Sequence, residues 1–188
     1  MKEKNQRDSM TRNEARTSYE ETISKSWKVL WKQNVNQKLK VFMWKSLHGA
    51  LPVRELIFNR TKQGNPMCAG CGEREETIEH MMFQCKKAKE IWKMAPVQWE
   101  GLEHLTGCFM KWWSAILEAQ ESRGEAVQVN VTINILWQIW KARNEREFNQ
   151  KEREPHKAIE KAQKEWREFE EANKGMEPRK ITQETEVQ

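Results

Sequence analysis

Cys68, Cys71, His80 and Cys85 follow one another with the spacing C-x2-C-x8-H-x4-C. Three of the four cysteines and one of the four histidines therefore fall within MCAGCGEREETIEHMMFQC (67–85). A C-x-x-C turn with small residues, here Ala69 and Gly70, folds both thiolates toward one point, and Gly72 follows where the backbone turns away. Thr77 can cap a short helix through its hydroxyl, which puts His80 on the first turn and Cys85 just past the end. Three sulfurs and one imidazole nitrogen suit a tetrahedral Zn²⁺. Four protein ligands leave no position for a catalytic water, the pattern of a structural site. Such a site adds roughly 10–16 kcal/mol of apparent binding free energy to folding. A redox C-x-x-C pair is the competing reading, and it leaves His80 and Cys85 without a role. Cys108 lies outside the cluster on an apolar helical face and reads as core. His104 is near it, but a site built from those two lacks further ligands.

The elements that position this cluster read as helices. Ile23, Trp27, Leu30 and Trp31 recur at helical spacing from Tyr19 onward. QNVNQ (33–37) is a break, and Leu39, Phe42, Met43 and Leu47 then share one face. HGALP (48–52) ends that segment, with Gly49 as a C-terminal cap and Pro52 opening a new first turn. A short helix through Leu56 and Ile57 leads into the loop TKQGNP (61–66). After Cys85, Ala88, Ile91 and Trp92 continue helically until Pro96. Leu102, Leu105, Phe109, Trp112, Trp113, Ile116 and Leu117 predict a long amphipathic helix, with ESRG (121–124) closing it. AVQVNVTINILWQIWKARN alternates like a strand and then repeats like a helix. One buried helix is the better reading, because no partner strand is evident elsewhere. Residues 155–173 form a charged helix with Ile159, Ala162, Trp166 and Phe169 as a narrow apolar seam.

The predicted fold class is therefore all-α, with one small inserted zinc-binding loop and helix. The expected organisation is a disordered N-terminus (1–18), helices plus the zinc-binding module (19–95), a helical extension packed on it (96–150), a charged amphipathic helix (151–175) and a disordered tail (176–188). Scarce glycine (8) and proline (5) in 188 residues support helices over a barrel of tight turns. No apolar run reaches the roughly 20 residues a membrane helix needs, and the N-terminus has no secretory signal. An intracellular protein, nuclear or cytoplasmic, is expected, and in that reducing setting clustered cysteines favour metal over disulfides.

Three stretches carry a resemblance: LKVFMWKSLHGALP (39–52), the cluster from CAGCG through ETIEHMMFQC to AKEIW (68–92), and ILWQIWKARNEREF (135–148). Together they resemble the zinc-binding region C-terminal to the reverse transcriptase of plant non-LTR retrotransposons. The resemblance implies that Cys68, Cys71, His80 and Cys85 are zinc ligands and that the module helps a polymerase handle RNA or target DNA. The only tyrosine is Tyr19, so no Y-x-D-D-like polymerase motif is present, and neither a polymerase palm nor a ribonuclease H has room in the sequence. A product that has lost the enzymes is the expectation.

The net charge of +5 permits an anionic partner. RNA or single-stranded DNA would meet Arg60, Lys62, Lys86, Lys87 and Lys89, with Arg74 beside them. Glu73, Glu75, Glu76 and Glu79 lie among these cations and oppose phosphate, and an ordinary solvated face explains any single lysine as well. Most of the ten tryptophans, including Trp27, Trp31, Trp44, Trp92, Trp137 and Trp140, read as core. Trp112 and Trp113 point about 100° apart on a helix, so one of them is expected at the surface. The alternative function is a zinc-stapled protein-interaction module using the 155–173 seam, or a gene remnant without nucleic-acid binding. An enzyme would need an open zinc position or a base not consumed by zinc, and His48 reads as a cap or packing residue.

Overall fold

The computed structural model describes residue 24 and residues 26–97, 101–123 and 126–174. The ends expected to be disordered, 1–18 and 176–188, lie outside the described residues, as does the helix start expected at Tyr19. Among the described residues seven helices follow in order: α1 (26–32), α2 (Gln37–Leu47), α3 (Arg54–Thr61), α4 (Lys86–Lys93), α5 (Phe109–Arg123), α6 (Ala126–Asn149) and α7 (Pro155–Lys174). A π turn (His80–Gln84) and a 3₁₀ turn (Glu103–Leu105) complete the set. Among the described residues there is no strand, only an isolated bridge between Met67 and Glu75.

Local chemistry sets the boundaries. The Asn36 side chain accepts from the Lys38 N–H at 3.0 Å and starts α2. Gly49, at φ +60°, turns the chain away after α2. Pro155 opens α7 at its first position, where the missing N–H has no cost.

α6 is the axis of the fold. Its residues 129–136 and 138–140 are buried without interruption, together with Ala142 and Arg143. A helix covered on nearly all sides has no polar face to show a 3.6-residue period, which is why its sequence resembles a strand. α2, α5, α7 and the π turn all pack on it. α1 meets α5 where Ser26 Oγ lies 3.4 Å from Ser114 Oγ, and Gln33, just past α1, donates from Nε2 to Gln120 Oε1 at 3.1 Å.

Three expectations about the α5 region are corrected. The helix predicted from Leu102 begins at Phe109, because Gly101 takes φ +79° and a 3₁₀ turn precedes it. Cys108 consequently sits before α5 rather than on a helical face, with its carbonyl accepting from Trp112 N–H at 3.0 Å. Trp112 and Trp113 are both buried, because α5 is covered on two sides. Trp112 packs 4.6 Å from Phe83 and 6.3 Å from Trp92, ring centre to ring centre. Of the α7 seam, Ile159 and Ala162 are buried in a helix that packs on α6, and Trp166 and Phe169 are half-buried.

Candidate metal centre

The loop before the π turn builds the first half of the site. Cys68 N–H donates to the Arg74 carbonyl and Glu76 N–H to the Pro66 carbonyl, both at 2.8 Å, so residues 66–76 form a tight hairpin. Gly72, at φ +71°, accommodates its reversal. Within it Gly70 N–H donates to Cys68 Sγ at 3.3 Å. The second half starts at Thr77, whose hydroxyl accepts from His80 N–H at 3.0 Å. The winding then widens, and Cys85 N–H bonds the His80 carbonyl at 2.7 Å. In an α-helix five residues rotate by about 500°, leaving His80 and Cys85 about 140° apart. The i→i+5 closure of a π turn brings the fifth residue back toward the same side.

The result is one compact donor set. The ligand atoms of Cys68, Cys71, His80 and Cys85 all lie within 4.8 Å of one another. Cys68 Sγ and Cys85 Sγ are 3.7 Å apart, and Cys71 Sγ is 3.3 Å from His80 Nε2. A tetrahedron with Zn–S bonds of about 2.3 Å and Zn–N of about 2.0 Å has S–S edges near 3.8 Å and S–N edges near 3.5 Å. A disulfide needs about 2.05 Å, so the sulfurs sit at coordination distance and not at bonding distance. His80 is buried, its Nδ1 has no partner among the described residues, and its Nε2 meets only sulfur. A buried imidazole so placed lacks compensation for lost water; a cation at Nε2 supplies it.

The thiols are poised for the same exchange. A hydrogen bond with Cys85, then burial, pushes the Cys68 thiol far up, while the bond from Cys68 draws Cys85 down to about 7. The two sulfurs share a proton that a dication replaces. Backbone N–H groups of Lys87 and Ala88, at the start of α4, also favour the Cys85 thiolate. The four residues fit one zinc ion.

Two arginines of α6 tie this centre to the fold. Glu76 is 1% exposed. It accepts from Arg143 Nε at 3.0 Å, Arg143 Nη2 at 2.5 Å and Arg54 N–H at 3.0 Å. Arg143 also lies over the Trp140 ring, 5.2 Å from its centre. Arg54 makes a bidentate pair with Glu147, 2.9 Å for each bond, and donates to the Met67 carbonyl at 3.0 Å. Arg146 reaches the hairpin itself. A Cβ on Gly70 would stand 2.9 Å from Arg146 Nη1 and 3.1 Å from Cys85 Sγ, so a side chain there would displace the Arg146 guanidinium and crowd the Cys85 sulfur. Burial alone would lower the Arg146 pKa, but its bond to Glu152 and the nearby Cys85 and Cys68 sulfurs raise it. A Zn²⁺ bound by three thiolates leaves a net negative charge, and Arg146 stands where it offsets that charge.

Residues 9–92 match the family model described as zinc-binding in reverse transcriptase. All four ligands of the centre fall inside the matched segment, whereas Arg143 and Arg146 lie beyond it. No curated protein and no solved structure matches the chain.

The suggested nucleic-acid residues fall on two elements, α3 with its C-cap and α4. Arg60 and Lys62 are exposed at the end of α3, and Lys86 and Lys89 on α4. Lys87 pairs with Glu152 at 3.5 Å. The opposing glutamates also change meaning: Glu76 is a buried ion-pair partner, and Glu79 Oε1 accepts from Phe109 N–H at 3.1 Å at the start of α5. Cys108 and His104 stand outside the metal group. Arg143, Arg146 and Glu76 are the residues that sequence reasoning missed. The signal for the two arginines was their i,i+3 spacing in WKARNER, near the end of α6.

Proposed function

We propose that the protein is a non-catalytic zinc-stapled module, derived from a retrotransposon reverse transcriptase, that binds RNA or single-stranded DNA. The observation that carries the non-catalytic part is the closed donor set: three sulfurs and one nitrogen converge, and a tetrahedral ion has no position left for water or substrate. The match to a zinc-binding region of reverse transcriptase supports a role beside a polynucleotide, and that region is distinct from the catalytic part of such enzymes. The basic balance of +5 is compatible with a phosphate backbone. Among the described residues no helix is long and apolar enough to cross a membrane.

The test is fluorescence anisotropy of labelled single-stranded RNA titrated with zinc-loaded protein. Binding that weakens steeply from low to physiological salt supports the proposal. Absence of binding at low salt, from protein with one zinc and a helical spectrum, overturns it.

A further inference from the structure

The charge of this chain is not spread evenly. Residues 22–54 contain six lysines and one arginine and neither Asp nor Glu, so the other 155 residues carry a net −2 against the chain's +5. α1 and α2 lie within that stretch. Trp27 packs against Trp44 and His48, both at 6.1 Å between ring centres, while Lys40 reaches Trp31, so the two helices run antiparallel. Trp27 and Trp31 meet edge to face at 4.9 Å, and Trp44 and His48 lie 5.0 Å apart. The four rings form one continuous cluster. Trp27, Trp31 and Trp44 are half-buried and His48 is exposed, unlike the fully covered Trp112 and Trp113.

Lysines neighbour these tryptophans along the chain. Lys28, Lys32 and Lys45 are exposed, and each adjoins a ring-cluster tryptophan in sequence. Of the α1–α2 lysines only Lys38 pairs with a carboxylate among the described residues, at 4.0 Å from Glu165. Lys40 serves the surface differently: its Nζ donates to the Trp31 carbonyl at 2.7 Å and lies 6.0 Å from the Trp31 ring centre. That holds the indole in place before any ligand arrives.

We propose that the α1–α2 face binds a single-stranded polynucleotide, with Trp31 and Trp44 stacking on unpaired bases and Lys28, Lys32 and Lys45 meeting its phosphates. This inference rests on the nucleic-acid reading above and gives it a surface. Charge complementarity selects the occupant: exposed Lys28, Lys32 and Lys45, with no carboxylate partner among the described residues, attract a polyanion. The rings select its strandedness, because bases in a duplex already stack on each other and only unpaired bases offer a free face. The zinc ligands are remote from this role. They hold the hairpin, and the contacts come from the helices that precede it.

The experiment is anisotropy of labelled single-stranded RNA with the zinc-loaded full chain, alongside zinc content and far-UV circular dichroism for each variant. Trp31→Ala and Trp44→Ala should each weaken binding by about tenfold or more, and Trp31→Phe should restore most of it. The triple variant Lys28→Gln/Lys32→Gln/Lys45→Gln, which spares the packing, should reduce the slope of log K against log salt by about 2. Arg60→Gln/Lys86→Gln/Lys89→Gln should leave the affinity unchanged. If the lysine triple variant binds like wild type while the Arg60/Lys86/Lys89 variant fails, this surface is wrong and the nucleic-acid reading stands. If wild type itself does not bind at low salt, both fall.

Discussion

Replacing Arg143 by methionine keeps most of the side-chain stem and removes the charge that Glu76 faces. Both groups are deeply buried, with 6% and 1% of their side chains exposed. In Arg143→Met the Glu76 carboxylate would keep only the Arg54 N–H at 3.0 Å. Removing one partner of a buried pair costs about 3–5 kcal/mol, because the remaining charge has neither water nor counterion. At about 2–4 °C per kcal/mol for a chain of this size, Tm should fall by about 6–20 °C. Glu76→Gln/Arg143→Met leaves no buried charge, so it should be more stable than the sum of the single losses by over about 1 kcal/mol. Urea unfolding of zinc-loaded protein, followed by circular dichroism, measures all four corners of the cycle. A single variant within about 1 kcal/mol of wild type, with an additive double variant, would refute the role assigned to this pair.

Further expectations concern the metal hairpin. Cys71→Ser should abolish stoichiometric zinc and melt residues 61–95, because no spare ligand lies in the group; a fully loaded variant by metal analysis would sink the assignment. Gly70→Ala should lower zinc affinity through the collision with Arg146 and Cys85, read by competition with a chromogenic chelator. The segment 9–92 alone, which contains the whole donor set but not α6, should stay unfolded with zinc present, as a flat amide NMR spectrum would report. The Arg146 bond holds the Glu152 carboxyl below its usual range. Its contribution is therefore present above the ordinary carboxylate pKa and lost as pH falls through the depressed value. Wild type and Glu152→Gln should converge in urea midpoint on acidification and separate near neutrality.

The metal centre was legible because soft ligands are rare and their spacing carries geometry. The Thr77 cap, the break at 33–37 and the single helix through residues 126–149 followed from side-chain chemistry and period. The π turn was not legible: HMMFQ has no sequence mark that separates five-residue from four-residue closure. Glu76 was hidden among Glu73, Glu75 and Glu79, where an acidic run reads as solvent-facing, and its partner lies 67 residues away. The burial of both Trp112 and Trp113 was not legible, because a helix covered on two sides buries positions that an amphipathic pattern leaves outside. The basic stretch 22–54 stood in plain view, but only the half-buried ring cluster gives it the shape of a surface.

The most direct test of the account is X-ray absorption at the zinc edge of the purified full chain. The account predicts one zinc per chain with three sulfurs at about 2.3 Å and one nitrogen at about 2.0 Å. A first shell containing a water oxygen, or two sulfurs in place of three, would contradict the closed structural centre on which the non-catalytic reading stands.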